Sequence, residues 1–140
     1  MNKKQLSAKR VNIVSLKIVK EQSVLFKDRK ISNPYDAYKL AKQFLENCDR
    51  EKFIVACLDT KNQPTSIQVV SVGSLDSSIV HPREVFKVAI LSNASKVICL
   101  HNHPSGNTKY SKEDEEITKR LKKCGEILGI EVIDHIIDSR

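Results

Sequence analysis

The sequence predicts an α/β fold, a three-layer domain built on a mixed sheet. Three observations lead there. Residues 53–58 form an unbroken apolar run, and a shorter one ends at Leu100. Such runs mark strands covered on both faces. Between them lie stretches whose apolar residues recur at helical spacing. The links are of two kinds: a tight turn that makes an antiparallel pair, and longer connections that allow crossovers. The composition agrees. The chain has 140 residues, 40% of them apolar and 29% charged, with four Gly and four Pro. That is globular composition, and the length suits one domain with a sizeable core.

In chain order, residues 1–10 are polar and loose. Over residues 11–19, Val11, Ile13, Leu16 and Ile18 interleave with Asn12, Ser15 and Lys17. The partial alternation predicts a strand with an irregularity at Ile13-Val14. Val24-Leu25-Phe26 is then a return strand, so residues 1–30 read as an arm containing a β-hairpin. Asn33-Pro34 opens a helix, with Asn as N-cap and Pro at the first helical position. Ala37, Leu40, Ala41, Phe44, Leu45 and Cys48 mark its apolar face. The run 53–58 is the first buried strand, residues 61–64 turn, and 66–72 return beside it. His81-Pro82 begins a helix with Val85, Phe86, Ala89 and Ile90 inward. Residues 96–100 are a strand. Residues 111–128 form the longest helix, with Ile117, Leu121, Cys124 and Leu128 on the buried stripe and Gly129 at C′. Residues 130–137 are the last strand.

The charge is unevenly placed. The chain carries +7. Residues 1–30 hold nine Lys or Arg against Glu21 and Asp28, while residues 31–140 hold fifteen bases and fifteen acids. The arm is therefore a possible contact for nucleic acid or another polyanion. A solvated, lysine-protected edge is the plainer reading. No apolar run approaches a membrane span, and no signal-peptide core is evident. A cytoplasmic protein is the expectation. Cys48, Cys57, Cys99 and Cys124 form no C-x-x-C pair and read as free thiols without a chemical role.

The chemistry gathers at His101-Asn102-His103-Pro104-Ser105-Gly106, followed by Ser111 and Asp114. Residues i and i+2 of a strand point to one side, so both imidazoles can face one ion. Pro104 and Gly106 turn the chain, and Asp114 returns from the first turn of the next helix. Two imidazoles and a carboxylate leave a fourth tetrahedral position open, the layout of a catalytic zinc site with one ion per chain. Non-haem iron oxygenases use a similar triad, but mostly on all-β barrels.

His101-x-His103-Pro104 with Ser111-x-x-Asp114 resembles the JAMM motif of the JAB/MPN metalloprotease superfamily. The longer string 101–106 is similar to its RadC branch, as are Ser71-Val72-Gly73, His81-Pro82-Arg83-Glu84-Val85-Phe86 and Asp134-His135-Ile136-Ile137. The likeness covers residues 31–138 and assigns 31–140 to a RadC-like JAB/MPN domain with a cytidine-deaminase-like fold. The helix-hairpin-helix module of many RadC proteins is not seen, and a further hairpin would be expected after the last strand.

The resemblance implies a zinc metalloprotease with His101, His103 and Asp114 as ligands, acting on a peptide or protein substrate. It implies a Glu at the start of a buried strand as general base. Glu51 fits that place, and Glu84 competes from a helix start. It implies that Ser111 donates to the oxyanion. Ser111-x-x-Asp114 also scores as a helix capping box, so capping and ligation compete for the same carboxylate. His135 reads as a core histidine or one supporting the ligands rather than a fourth ligand. Lys119, Arg120, Lys122 and Lys123 read as a solvated helix face. The rival reading is a DNA-repair-associated or nucleic-acid-binding accessory protein whose metal is structural.

Overall fold

A computed structural model describes residues 6–46, 50–73, 80–103 and 111–138. Its elements are α1 (Pro34–Leu45), β1 (Lys52–Leu58), β2 (Pro64–Val72), α2 (Pro82–Leu91), β3 (Lys96–Asn102), α3 (Lys112–Leu128) and β4 (Glu131–Asp138). The strands form one sheet in the order β2-β1-β3-β4. β1 runs antiparallel to β2 and to β3, whereas β3 and β4 are parallel. A parallel neighbour requires a crossover, and α3 supplies it.

The sheet has helices on both faces, which explains the unbroken apolar run in β1. Phe53, Val55 and Cys57 enter one core with Val85, Phe86 and Ala89 of α2 and Ile117 and Leu121 of α3. Ile54, Ala56 and Leu58 enter the other, with Ala37, Leu40, Ala41 and Leu45 of α1. Successive residues of a strand face opposite ways, so each of these six is buried. The three layers expected from sequence are therefore α1, the sheet, and α2 with α3.

The helix ends follow their caps. Asn33 Oδ1 accepts from the Asp36 N–H at 3.0 Å, and Pro34 opens α1. Gly129 ends α3 in the left-handed region (φ 71°), where glycine carries no Cβ penalty. Gly125 is small for another reason. A Cβ there would lie 2.3 Å from the Ile130 carbonyl oxygen, so the close turn from α3 into β4 excludes a side chain.

Several expectations need correction. The β-hairpin of the arm is not formed: residues 6–26 contain no strand. Val11, Ile13, Leu16 and Val19 are exposed. None of the described backbone hydrogen bonds outside the regular elements involves residues 6–25. Alternation specifies a strand only where a sheet takes up its N–H and C=O groups, and none lies beside this segment. The chain joins the core at Ile31, whose N–H donates to the Asn62 carbonyl at 2.8 Å. Ile90 turns outward from α2, and Leu128 is half-exposed beyond the buried stripe of α3. Cys48 lies outside the described residues. Cys57 and Cys99 are buried free thiols. No helix among the described residues is long and apolar enough to cross a membrane.

Candidate metal centre

β3 delivers the histidines. His101 sits inside the strand, and His103 follows its last residue. The His103 N–H donates to the Asp138 carbonyl at 2.6 Å, so the end of β4 holds it in place. The two Nε2 atoms are 2.8 Å apart. Asp114 approaches from the first turn of α3. Its Oδ1 lies 3.1 Å from His101 Nε2, and its Oδ2 lies 3.6 Å from His103 Nε2. Ligand atoms about 2.0–2.1 Å from a tetrahedral ion stand about 3.3 Å from one another. The three observed separations straddle that value, and the donors are those zinc prefers. The residues thus fit a metal ion, and among the described residues they are the group whose donor atoms converge.

Capping and metal binding share one carboxylate. Asp114 Oδ2 accepts from the Ser111 N–H at 2.8 Å and also lies 3.6 Å from His103 Nε2, while Oδ1 faces His101 and accepts no backbone N–H of the cap. Ser111 Oγ in turn accepts from the Asp114 N–H at 3.1 Å. The capping box therefore aims the ligand. Accepting occupies a lone pair of Ser111 Oγ and leaves its proton available to donate.

Behind the histidines stand buried His135 and Phe53 and the part-buried Thr118. His135 Nε2 is 2.7 Å from His101 Nδ1, and its Nδ1 is 2.6 Å from Thr118 Oγ1. The Thr118 hydroxyl donates to the Asp114 carbonyl at 2.8 Å. Phe53 lies beneath, its ring stacked with His101 and tilted against His135. Burial pushes the His135 imidazole down to about 4. Burial, and then the neighbouring His135, push His101 down as well. Both rings are therefore neutral near neutral pH, the state a ligating histidine requires.

Asn102, fully buried, lies between the two histidines in sequence. Strand alternation turns it to the opposite face from theirs. Its Oδ1 accepts from the Lys52 N–H at 2.6 Å, and its Nδ2 donates to the Arg50 carbonyl at 2.9 Å. Glu51 lies between those two residues. Its own carbonyl accepts from the Gly73 N–H at 2.7 Å. The main chain of Glu51 is thus fixed to the histidine-bearing strand, and Glu51 is not one of the three converging ligands. Glu84 is engaged elsewhere. It pairs with Lys87 at 2.6 Å on the exposed side of α2, and that hydrogen bond holds its carboxyl below the ordinary range.

The sequence reading missed Asn102 and Thr118. Thr118 follows Asp114 by four residues, hence on the same helix face. Asn102 is a polar residue forced by alternation into a buried layer, where an amide needs partners. Those two signals were present in the sequence.

Comparison with known proteins agrees with this geometry. The family model for the RadC-like JAB domain matches residues 31–140. A UPF0758 protein of Methanosarcina barkeri is 50% identical over 109 residues, covering 78% of this chain and 48% of its own. One of Clostridioides difficile is 55% identical over 108 residues, covering 77% and 46%. One of Bacillus cereus is 52% identical over 107 residues, covering 76% and 48%. The chain thus spans about half the length of the curated relatives it matches. A three-layer α/β domain, a converging His-His-Asp set and a family match over most of the chain coincide: the protein belongs to the RadC-like JAB domain family.

Proposed function

We propose that this chain is a zinc-dependent hydrolase of peptide or isopeptide-like amide bonds. The observation that carries the reading is the convergence of His101, His103 and Asp114 with no fourth protein ligand among the described residues. Three protein ligands of this kind are the catalytic pattern, whereas structural zinc sites are closed by four. Bound there, zinc would supply a water of lowered pKa and a Lewis acid for the amide oxygen. Glu51 takes the proton of the attacking water and returns it to the leaving amine. Asn102 holds the main chain of that base. Ser111 donates its hydroxyl proton to the carbonyl oxygen as it gains charge.

A second reading has one observation in its favour, the excess of positive charge in residues 1–30. It makes the chain a nucleic-acid-associated accessory protein with a structural metal. One experiment separates the two. Cellular peptides and proteins are incubated with the zinc-loaded chain, with its Glu51→Gln variant and with chelator-treated protein. Cleavage products found only with the zinc-loaded wild type support the hydrolase. A chelator that lowers the melting temperature while no product appears in any arm favours the accessory protein.

A further inference from the structure

Thr118 and His135 lie behind the metal centre, and neither ligation nor the proposed chemistry uses them. Their hydrogen bonds have a direction. The Asp114 carbonyl can only accept. Thr118 Oγ1 carries one proton and donates it there at 2.8 Å. The same oxygen is 2.6 Å from His135 Nδ1. With its proton committed, Thr118 Oγ1 can only accept, so His135 Nδ1 bears hydrogen. A neutral imidazole has one N–H, which leaves His135 Nε2 as a lone pair. That lone pair faces His101 Nδ1 at 2.7 Å, so His101 Nδ1 donates. His101 Nε2 is left bare, 3.1 Å from Asp114 Oδ1 and 2.8 Å from His103 Nε2.

We propose that Thr118 and His135 are positioning residues that lock His101 in the Nδ1–H form and so present its Nε2 lone pair to the metal. The proposal rests on the reading that His101 is a ligand. Reversing every bond in the chain would place a proton on His101 Nε2, pointing at the ion. The fixed point is the Asp114 carbonyl, an acceptor that cannot exchange roles. Asp114 therefore acts at both ends: its carboxylate faces the ion, and its carbonyl sets the tautomer of the neighbouring ligand. The partner of His101 Nδ1 is an imidazole, not a carboxylate. A carboxylate partner would make the imidazole a stronger donor and damp the charge of the ion.

The test uses the full chain with two substitutions. Thr118→Val keeps the shape and removes the hydroxyl, and Thr118→Ser keeps the hydroxyl. Zinc affinity is measured by chelator competition. The His101 ring tautomer is read by long-range nitrogen–proton NMR on the zinc-free protein. Wild type is expected to show Nδ1–H at His101. Thr118→Val is expected to bind zinc about 10- to 100-fold more weakly, the usual effect of losing a partner behind a ligand. Its His101 signals should shift toward the other tautomer, and Thr118→Ser should restore both readouts to within a few-fold. Wild-type His101 in the Nε2–H form overturns the proposal, as does undiminished zinc affinity in a folded Thr118→Val. The wild-type spectrum decides the matter even if the valine variant fails to fold. Absence of zinc binding by wild type, with the Nδ1–H form present, would instead sink the ligand assignment and leave the tautomer lock standing.

Discussion

The side-chain amide of Asn102 grips the main chain on both sides of Glu51, accepting from Lys52 and donating to Arg50. Removing it leaves a part-buried N–H and C=O without their partner. Asn102→Ala is expected to lower stability by about 1–3 kcal/mol, the cost of stranding such groups. Zinc content should remain near one per chain, because the ligands lie on the other face of β3. Turnover should fall, because the base is no longer held. Denaturant melts, elemental analysis and turnover on any peptide from the screen check the three parts separately.

The ligand set has a direct test. Wild type should carry about one zinc per chain, and His101→Ala, His103→Ala or Asp114→Ala should lose most of it, since two protein ligands hold the ion poorly. Asp114→Ala also removes the capping box of α3, at a further cost of about 1 kcal/mol. Asp114→Asn separates the effects, because it can still cap but ligates weakly. Full zinc occupancy in the three alanine variants would refute the site.

Base and ligand part company at Glu51. Glu51→Gln should keep zinc and fold while the hydrolytic rate drops roughly 10²–10⁴-fold. Glu84→Gln breaks an exposed pair with Lys87 and should leave the rate within a few-fold of wild type. The opposite pattern, with Glu84→Gln inactive and Glu51→Gln active, exchanges their roles.

Acid should destabilise the zinc-free protein in a defined window. Burial holds His135 at about 4 in the fold, against an ordinary value of 6.5. Between those values the unfolded chain binds more protons than the native one, so stability rises with pH. It is fully present above 6.5 and is lost as pH falls through about 4. His101 shifts in the same direction. His135 alone contributes roughly 3 kcal/mol across the window. Denaturant midpoints recorded from pH 8 to pH 4 (roughly the span over which these groups titrate) should be flat at the upper end and then decline. A flat curve throughout would show that these rings are not held neutral by the fold.

The basic arm is proposed as a nucleic-acid contact. Affinity for DNA or RNA should then fall with salt at a slope of about −0.9 per phosphate on duplex DNA. Deleting residues 1–30 should abolish binding and leave zinc content unchanged. Equal retention of the full and shortened chains on DNA at low salt would remove the arm from the function.

Much of the architecture was legible because local signals agreed with the final packing. Asn33-Pro34, the turn near Asn62 and Gly129 each carry the residue types their backbone requires, and the structure uses each one there. The run 53–58 reads as doubly buried, and both helical layers are present. The convergence of His101, His103 and Asp114 was legible because two residues of one strand face meet a carboxylate from the first turn of the next helix. The arm misled because alternation at residues 11–19 describes a strand's faces and says nothing of its neighbours. For Asn102 and Thr118 the sequence signals were local, but what they hold, Arg50 and Lys52 for one and His135 for the other, is remote in sequence. Ile90 and Leu128 fit a helical period but sit at helix ends, where the stripe rotates past the core.

The crossover from β3 through α3 to β4 joins both sides of the metal centre, and His101 meets His135 across 34 residues. In an unfolded chain only the His101-x-His103 pair remains local, too few ligands to hold zinc well. Zinc held there would thus recognise a closed loop, and its binding energy would add to the cooperativity of one folding unit. At a free concentration a thousand times its dissociation constant it would contribute about 4 kcal/mol. Where that closure completes after the folding barrier, the ion acts on escape from the native state. Zinc bound there would then slow unfolding more than it speeds refolding, and the metal would serve as a kinetic latch on the half of the domain that bears the site.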